Sequence, residues 1–220
     1  MRQRNVVTLA VFALATAAFA QDDNQTFYPI SSGYAFDALQ IRYVSNLNKG
    51  DSVINITNVG GDIADFDSPN DNICVNVYTF DPSEEMLSCC SCLVTPNALV
   101  SLSVQGDLIS NTLSPSTPTS AVIKLVATDP SVHPCDPALD IPESIALGMR
   151  AWGTTLHALP DGTYGVVESG FQLMGTPPNH VLNKNETNHL SSFCGFIESN
   201  GSGFGICKSC RTGGLGGAKQ

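Results

Sequence analysis

Eight cysteines, one crowded run of oxygen ligands and four scattered histidines are the residues of this chain best suited to chemistry. The thiols are Cys74, Cys89, Cys90, Cys92, Cys135, Cys194, Cys207 and Cys210. Cys207-Lys-Ser-Cys210 has the spacing of half a zinc site. The other half would have to come from Cys89-Cys90-Ser91-Cys92, which is not a zinc-ribbon spacing. As a redox dithiol the pair would need a helix N-terminus in a thioredoxin-like βαβ setting, and the flanking sequence offers none. Arg211 stands where covalent haem attachment requires His. An even cysteine count in an exported chain reads instead as a disulfide framework.

Asp62, Asp65, Asp67, Asn70 and Asp71 form the candidate metal set, since calcium favours clustered hard oxygens. Pro69 interrupts the EF-hand spacing and no Glu closes the loop, so a solvated acidic turn fits better. His133, His157, His180 and His189 form no His-x-x-x-His pair, and a Gly-x-Ser-x-Gly elbow is missing. Gly201-Ser-Gly-Phe-Gly205 belongs to no βαβ unit and reads as a turn rather than a phosphate cradle. No catalytic residue and no cofactor are expected.

The ends assign a compartment. Arg2 and Arg4 precede an apolar run from Val6 to Ala15, and Ala18-Phe19-Ala20 has the small-x-small pattern of signal cleavage. The run is shorter than the ~20 residues that span a bilayer. Residues 1–20 are thus expected to be a signal peptide and the protein to be exported, into periplasm, medium or the cell surface. Loss of Arg2 and Arg4 leaves eight basic against twenty acidic side chains, a charge of −12. Such a chain does not suit nucleic acid or anionic membrane, which bind basic surfaces.

Period-two alternation must position these residues. Residues 21–38 are turn-rich and read as an N-terminal extension. From there Leu39, Ile41 and Tyr43 share a face, Ile54 alternates into Ile56, and Ile73, Val75, Val77 and Thr79 follow. Val100, Leu102 and Val104, then Ala121, Ile123, Leu125 and Ala127, continue the pattern. Prolines 130, 134, 137 and 142 make residues 128–144 an irregular excursion, tied down by Cys135. Leu159-Pro160-Asp161-Gly162 predicts a type I turn between two strands. The expected fold is mostly β, a single immunoglobulin-like or related β-sandwich over residues 39–210, disulfide-stabilised, with a flexible glycine-rich tail at 211–220.

One stretch reads two ways. Leu190, Phe193, Cys194 and Ile197 form a helical stripe capped by Asn200-Gly201, which favours a short C-terminal helix. Asn200-Gly201 also suits a two-residue hairpin turn. In the hairpin register Cys194 falls opposite Cys207, and in the helix Cys207 can still return to it with Cys210 as a competitor there, so Cys194–Cys207 is the favoured bridge. Vicinal Cys89 and Cys90 point to opposite sides of an extended chain and must find different partners, with Cys210 joining one of that cluster.

Asn72-Ile-Cys-Val-Asn-Val-Tyr-Thr-Phe-Asp81, Cys89-Cys-Ser-Cys92, Arg150-Ala-Trp-Gly-Thr-Thr-Leu-His157 and Gly201-Ser-Gly-Phe-Gly-Ile-Cys-Lys-Ser-Cys210 resemble segments of a family of exported bacterial β-rich, cysteine-containing proteins of no assigned activity. The resemblance implies bacterial export and transfers no functional residue. Gly50-Asp-Ser-Val-Ile-Asn-Ile-Thr-Asn58 is similar to one strand of immunoglobulin-like bacterial surface modules. The expected role is a non-enzymatic structural or interaction module with a surface protein or glycan as partner. The alternatives are a secreted, glycan-directed hydrolase with carboxylates from separate loops, and an extracellular thiol protein using Cys207 and Cys210.

Overall fold

The alternating segments fold as two five-stranded antiparallel sheets stacked as a sandwich. The structure, a computed structural model, describes residues 37–60, 72–114, 117–139, 145–173, 184–202, 207 and 210–212. The first sheet runs β4 (Met86–Val94), β3 (Ile73–Phe80), β6 (Ser120–Thr128), β1 (Leu39–Ser45) and β9 (Gln172–Leu173). The second runs β10 (Arg211–Thr212), β5 (Leu99–Ser103), β2 (Val53–Asn58), β7 (Met149–Ala158) and β8 (Tyr164–Gly170). Val75, Val77, Ile123 and Leu125 from the first face Ile54, Ile56, Val100 and Leu102 from the second in one buried cluster. Each such side chain contributes about 1.5–3 kcal/mol of transfer free energy.

The Pro160-Asp161 turn forms as expected. The Gly162 N–H donates to the Leu159 carbonyl at 3.0 Å and Gly162 takes φ +81°, while the Leu159 N–H donates to Thr163. β7 and β8 then pair from Ala158↔Tyr164 to Trp152↔Gly170.

Of the stretch that reads two ways, the described residues up to Ser202 resolve in favour of the helix. The 16-residue α1 (Lys184–Ser199) lays Leu190, Cys194 and Ile197 on the outer face of the first sheet, against Tyr78, Met86, Cys89 and Val126. Gly201, at φ +83°, closes it: the Ser202 N–H reaches the Ile197 carbonyl and the Gly201 N–H that of Glu198, both at 2.9 Å. This is the Schellman arrangement, which needs a residue tolerant of the left-handed region. With α1 outside and the second sheet inside, β3 is buried on both faces from Ile73 to Thr79.

Four bridges brace these layers: Cys74–Cys135, Cys89–Cys194, Cys90–Cys207 and Cys92–Cys210. They correct the expected Cys194–Cys207 pairing. The hairpin register that opposed those two residues does not exist, because the chain there is helical. Cys89 points outward and meets Cys194 on α1, with Cα atoms 5.7 Å apart. Its neighbour Cys90 points into the sandwich and meets Cys207, at 4.7 Å. The vicinal pair therefore parts to opposite faces, as its extended backbone requires, and Cys210 joins the same cluster.

Two boundaries also shift. Arg211 and Thr212, expected in the flexible tail, pair with Ser101 and Val100 of β5, because the Cys92–Cys210 bridge delivers the chain to that edge. Asp37 and Ala38, expected in the extension, are buried, and Asp37 pairs with Arg150. On β1 the face expected to be apolar is the outer one. Gln40, Arg42 and Val44 point inward. Gln40 is accommodated because its Nε2 donates to the carbonyls of Asp37 and Met149, each at 3.0 Å.

Candidate functional site

The residues singled out by type do not converge. The candidate calcium set Asp62, Asp65, Asp67, Asn70 and Asp71 lies outside the described residues, as does His180. His133 sits in a turn after β6, His157 at the exposed end of β7, and His189 on α1 beside Phe193, ring centroids 6.0 Å apart. Each described cysteine is bridged. Cys207 and Cys210 bond to β4 rather than to each other, so they do not form a dithiol couple of their own. Among the described residues no helix is long and apolar enough to cross a membrane.

Two concave features stand where the sequence carried no motif. The first is a groove of about 520 Å³ between α1 and the β3–β4 turn, lined by Glu84, Glu85, Leu113, Phe193, Phe196 and Ile197. Phe193 is 53% exposed and Phe196 60%. The helical stripe placed Phe193 among the packed residues, but the buried arc is narrower and passes through Leu190, Cys194 and Ile197. The acidic rim is held by Asp81, whose Oδ1 accepts the N–H groups of Ser83 at 2.8 Å and Glu85 at 2.9 Å. Within that turn Glu84 adopts φ +69°, a left-handed conformation that glycine or asparagine usually fills. Beneath the helix, the Tyr78 phenol donates to the Pro137 carbonyl at 2.8 Å. Burial pushes its pKa far up, and the nearby acids Asp136 and Glu198 add to the effect. Burial, and then the charge of Asp136, also raise the Glu198 carboxyl above the usual carboxylate range.

The second feature is a cleft of about 320 Å³ between β1 and the β7–β8 pair. It exists because β9 pairs only with Gln40 and Ile41, so the edge of β1 beyond them is not covered by that strand. Arg42, Tyr43, Thr155, His157, Ser169 and Gln172 line it. Arg42 is 6% exposed. Its Nη1 donates to the Ser169 carbonyl at 2.5 Å and to Ser169 Oγ at 3.1 Å, and its Nη2 to Thr155 Oγ1 at 2.9 Å. The guanidinium also lies 5.7 Å from the centre of the Phe171 ring, and its buried Nε has no hydrogen-bond partner. Burial lowers the Arg42 pKa, and Glu168 partly opposes that. Gly153 makes the room: a Cβ there would stand 3.3 Å from Nε and 2.6 Å from the Val53 carbonyl oxygen. Sequence reasoning missed this site because an arginine between apolar strand residues reads as solvent-facing.

No family model, no curated protein and no solved structure matches the chain.

Proposed function

We propose that this chain is an exported, non-enzymatic interaction module that holds a partner in the groove beside α1. The observation that carries this reading is the pair of half-exposed phenyl rings, Phe193 and Phe196, on a helix fixed to the sheet through Cys89–Cys194. Exposed aromatic anchors in a concave apolar site are what interface hot spots are made of. A covalently pinned helix presents them with little ordering cost on binding. The rim specifies charge. Glu84 and Glu85 stand at the groove and no basic side chain is among its described lining residues. A partner segment of apolar side chains flanked by lysine or arginine is the complementary occupant. Four bridges support export, since such frameworks persist in oxidising compartments.

The test uses two amphipathic helical peptides of one pattern, leucine with lysine and leucine with glutamate, titrated by calorimetry into the disulfide-intact protein. The lysine peptide should bind, and both Phe196→Ser and the pair Glu84→Gln with Glu85→Gln should weaken it about tenfold or more. Equal binding of the glutamate peptide, or indifference to Phe196→Ser, would sink the proposal. Export is checked separately by N-terminal sequencing of the exported material, which should begin at Gln21.

A further inference from the structure

We infer that the cleft over Arg42 is a binding site for the carboxylate of a small organic acid. The inference rests on a different face from the α1 groove and is independent of it. Arginine keeps its charge at any accessible pH, so Arg42 is a buried cation. Burying a charge without a counter-ion is unfavourable. Among the described residues the ion pairs are Lys124–Glu186 and Arg150–Asp37, and Arg42 is in neither. Its hydrogen-bond partners are neutral, one carbonyl and two hydroxyls, and the nearby Glu168 carboxylate offsets the cost of burial only in part, without forming an ion pair. A guanidinium offers five N–H donors in a planar fork, and at least the one on Nε is unused although buried.

The cleft that opens over this fork is furnished for an anion. The hydroxyls of Thr155 and Ser169 lie beside the guanidinium, His157 and Gln172 also line the cleft, and no carboxylate is among the described lining residues. One guanidinium matches one singly charged, planar carboxylate, with which it forms paired hydrogen bonds. Phosphate or sulfate carries more charge than this single cation offsets. Ile41 and Val122 supply an apolar wall, so the acid should carry a hydrophobic body. A volume of about 320 Å³ sits at the small end of ligand sites, which suits an acid of roughly ten heavy atoms.

The direct readout is the Arg42 Nε–H resonance in ¹⁵N-labelled, disulfide-intact protein. Benzoate should move it saturably, and neutral benzamide of the same shape should not. Arg42→Gln should abolish binding. Because that change also removes three hydrogen bonds between the sheets, His157→Glu provides the second arm. It alters an exposed residue at the cleft, and should weaken benzoate about tenfold through like-charge repulsion while leaving the melting temperature unchanged. A resonance that no carboxylate moves at millimolar concentration overturns the inference, as does His157→Glu binding benzoate normally. A response to sulfate as strong as that to benzoate overturns the carboxylate assignment.

Discussion

Consider replacing both cysteines of one bridge by alanine, once at Cys74–Cys135 and once at Cys90–Cys207. The sequence separations are 61 and 117 residues. Taken one at a time, the chain-entropy relation assigns the two bridges about 4.3 and about 4.9 kcal/mol, so the longer loop would matter more. The structure reverses that order. While Cys92–Cys210 is closed, the path from Cys90 to Cys207 runs two residues along β4, across the bridge and three residues back. The loop that Cys90–Cys207 then closes is only about five residues, which the same relation values at about 2 kcal/mol. No such shortcut serves Cys74–Cys135, because the detour through Cys89–Cys194 is longer than the direct chain. Removing it should therefore cost about 4 kcal/mol, some 2 kcal/mol more than removing Cys90–Cys207. Alanine avoids adding buried hydroxyls, and Cys90 and Cys207 are both buried in the main core, so lost packing works against the expected order. Urea denaturation of the two variants, with the remaining bridges verified by mass spectrometry, measures the difference. Equal costs, or a larger cost for the Cys90–Cys207 pair, would refute the reasoning from nested loops.

Three further changes test the local arguments. Gly201→Ala puts a Cβ on a residue at φ +83° and should destabilise the protein by about 1 kcal/mol in denaturant unfolding through the local backbone cost alone, since among the described residues nothing beyond its chain neighbours lies within 4 Å of that Cβ. Glu84→Gly should do the reverse, gaining on the order of 0.5 kcal/mol, since relief of a left-handed glutamate slightly exceeds the entropy glycine loses on folding. A loss of stability there would show that the Glu84 side chain braces the turn. Glu198 is raised in the folded state, so its contribution is fully present below the ordinary carboxylate pKa and is lost as pH rises through the raised value. As pH rises above the ordinary carboxylate pKa the parent protein should lose melting temperature relative to Glu198→Gln, and parallel pH profiles would count against the assigned shift.

The sandwich was legible because both of its strongest signals are local. Alternation in Ile73–Thr79 and Ala121–Ala127 needs only a buried face, and Pro160-Asp161-Gly162 needs only its own backbone preferences. What alternation does not report is which face turns inward when polar residues have partners across the core. On β1 that choice went to Gln40 and Arg42, whose acceptors across the core come from Met149, Thr155 and Ser169, over a hundred residues away in each case. The cleft is a product of that choice and of a β9 strand that begins only at Gln172, opposite Ile41, neither of which has a local signature. The bridge pattern lies between these cases. The vicinal cysteines already implied one partner on each face of β4, and the α1 stripe already placed Cys194 on a buried helical face. What was missing was the layer: a helix on the outside of a sheet can reach only the outward cysteine. Once α1 is recognised as a third layer, Cys194 must take Cys89, and Cys90 is left for a segment that enters the sandwich from its edge, which is where Cys207 lies.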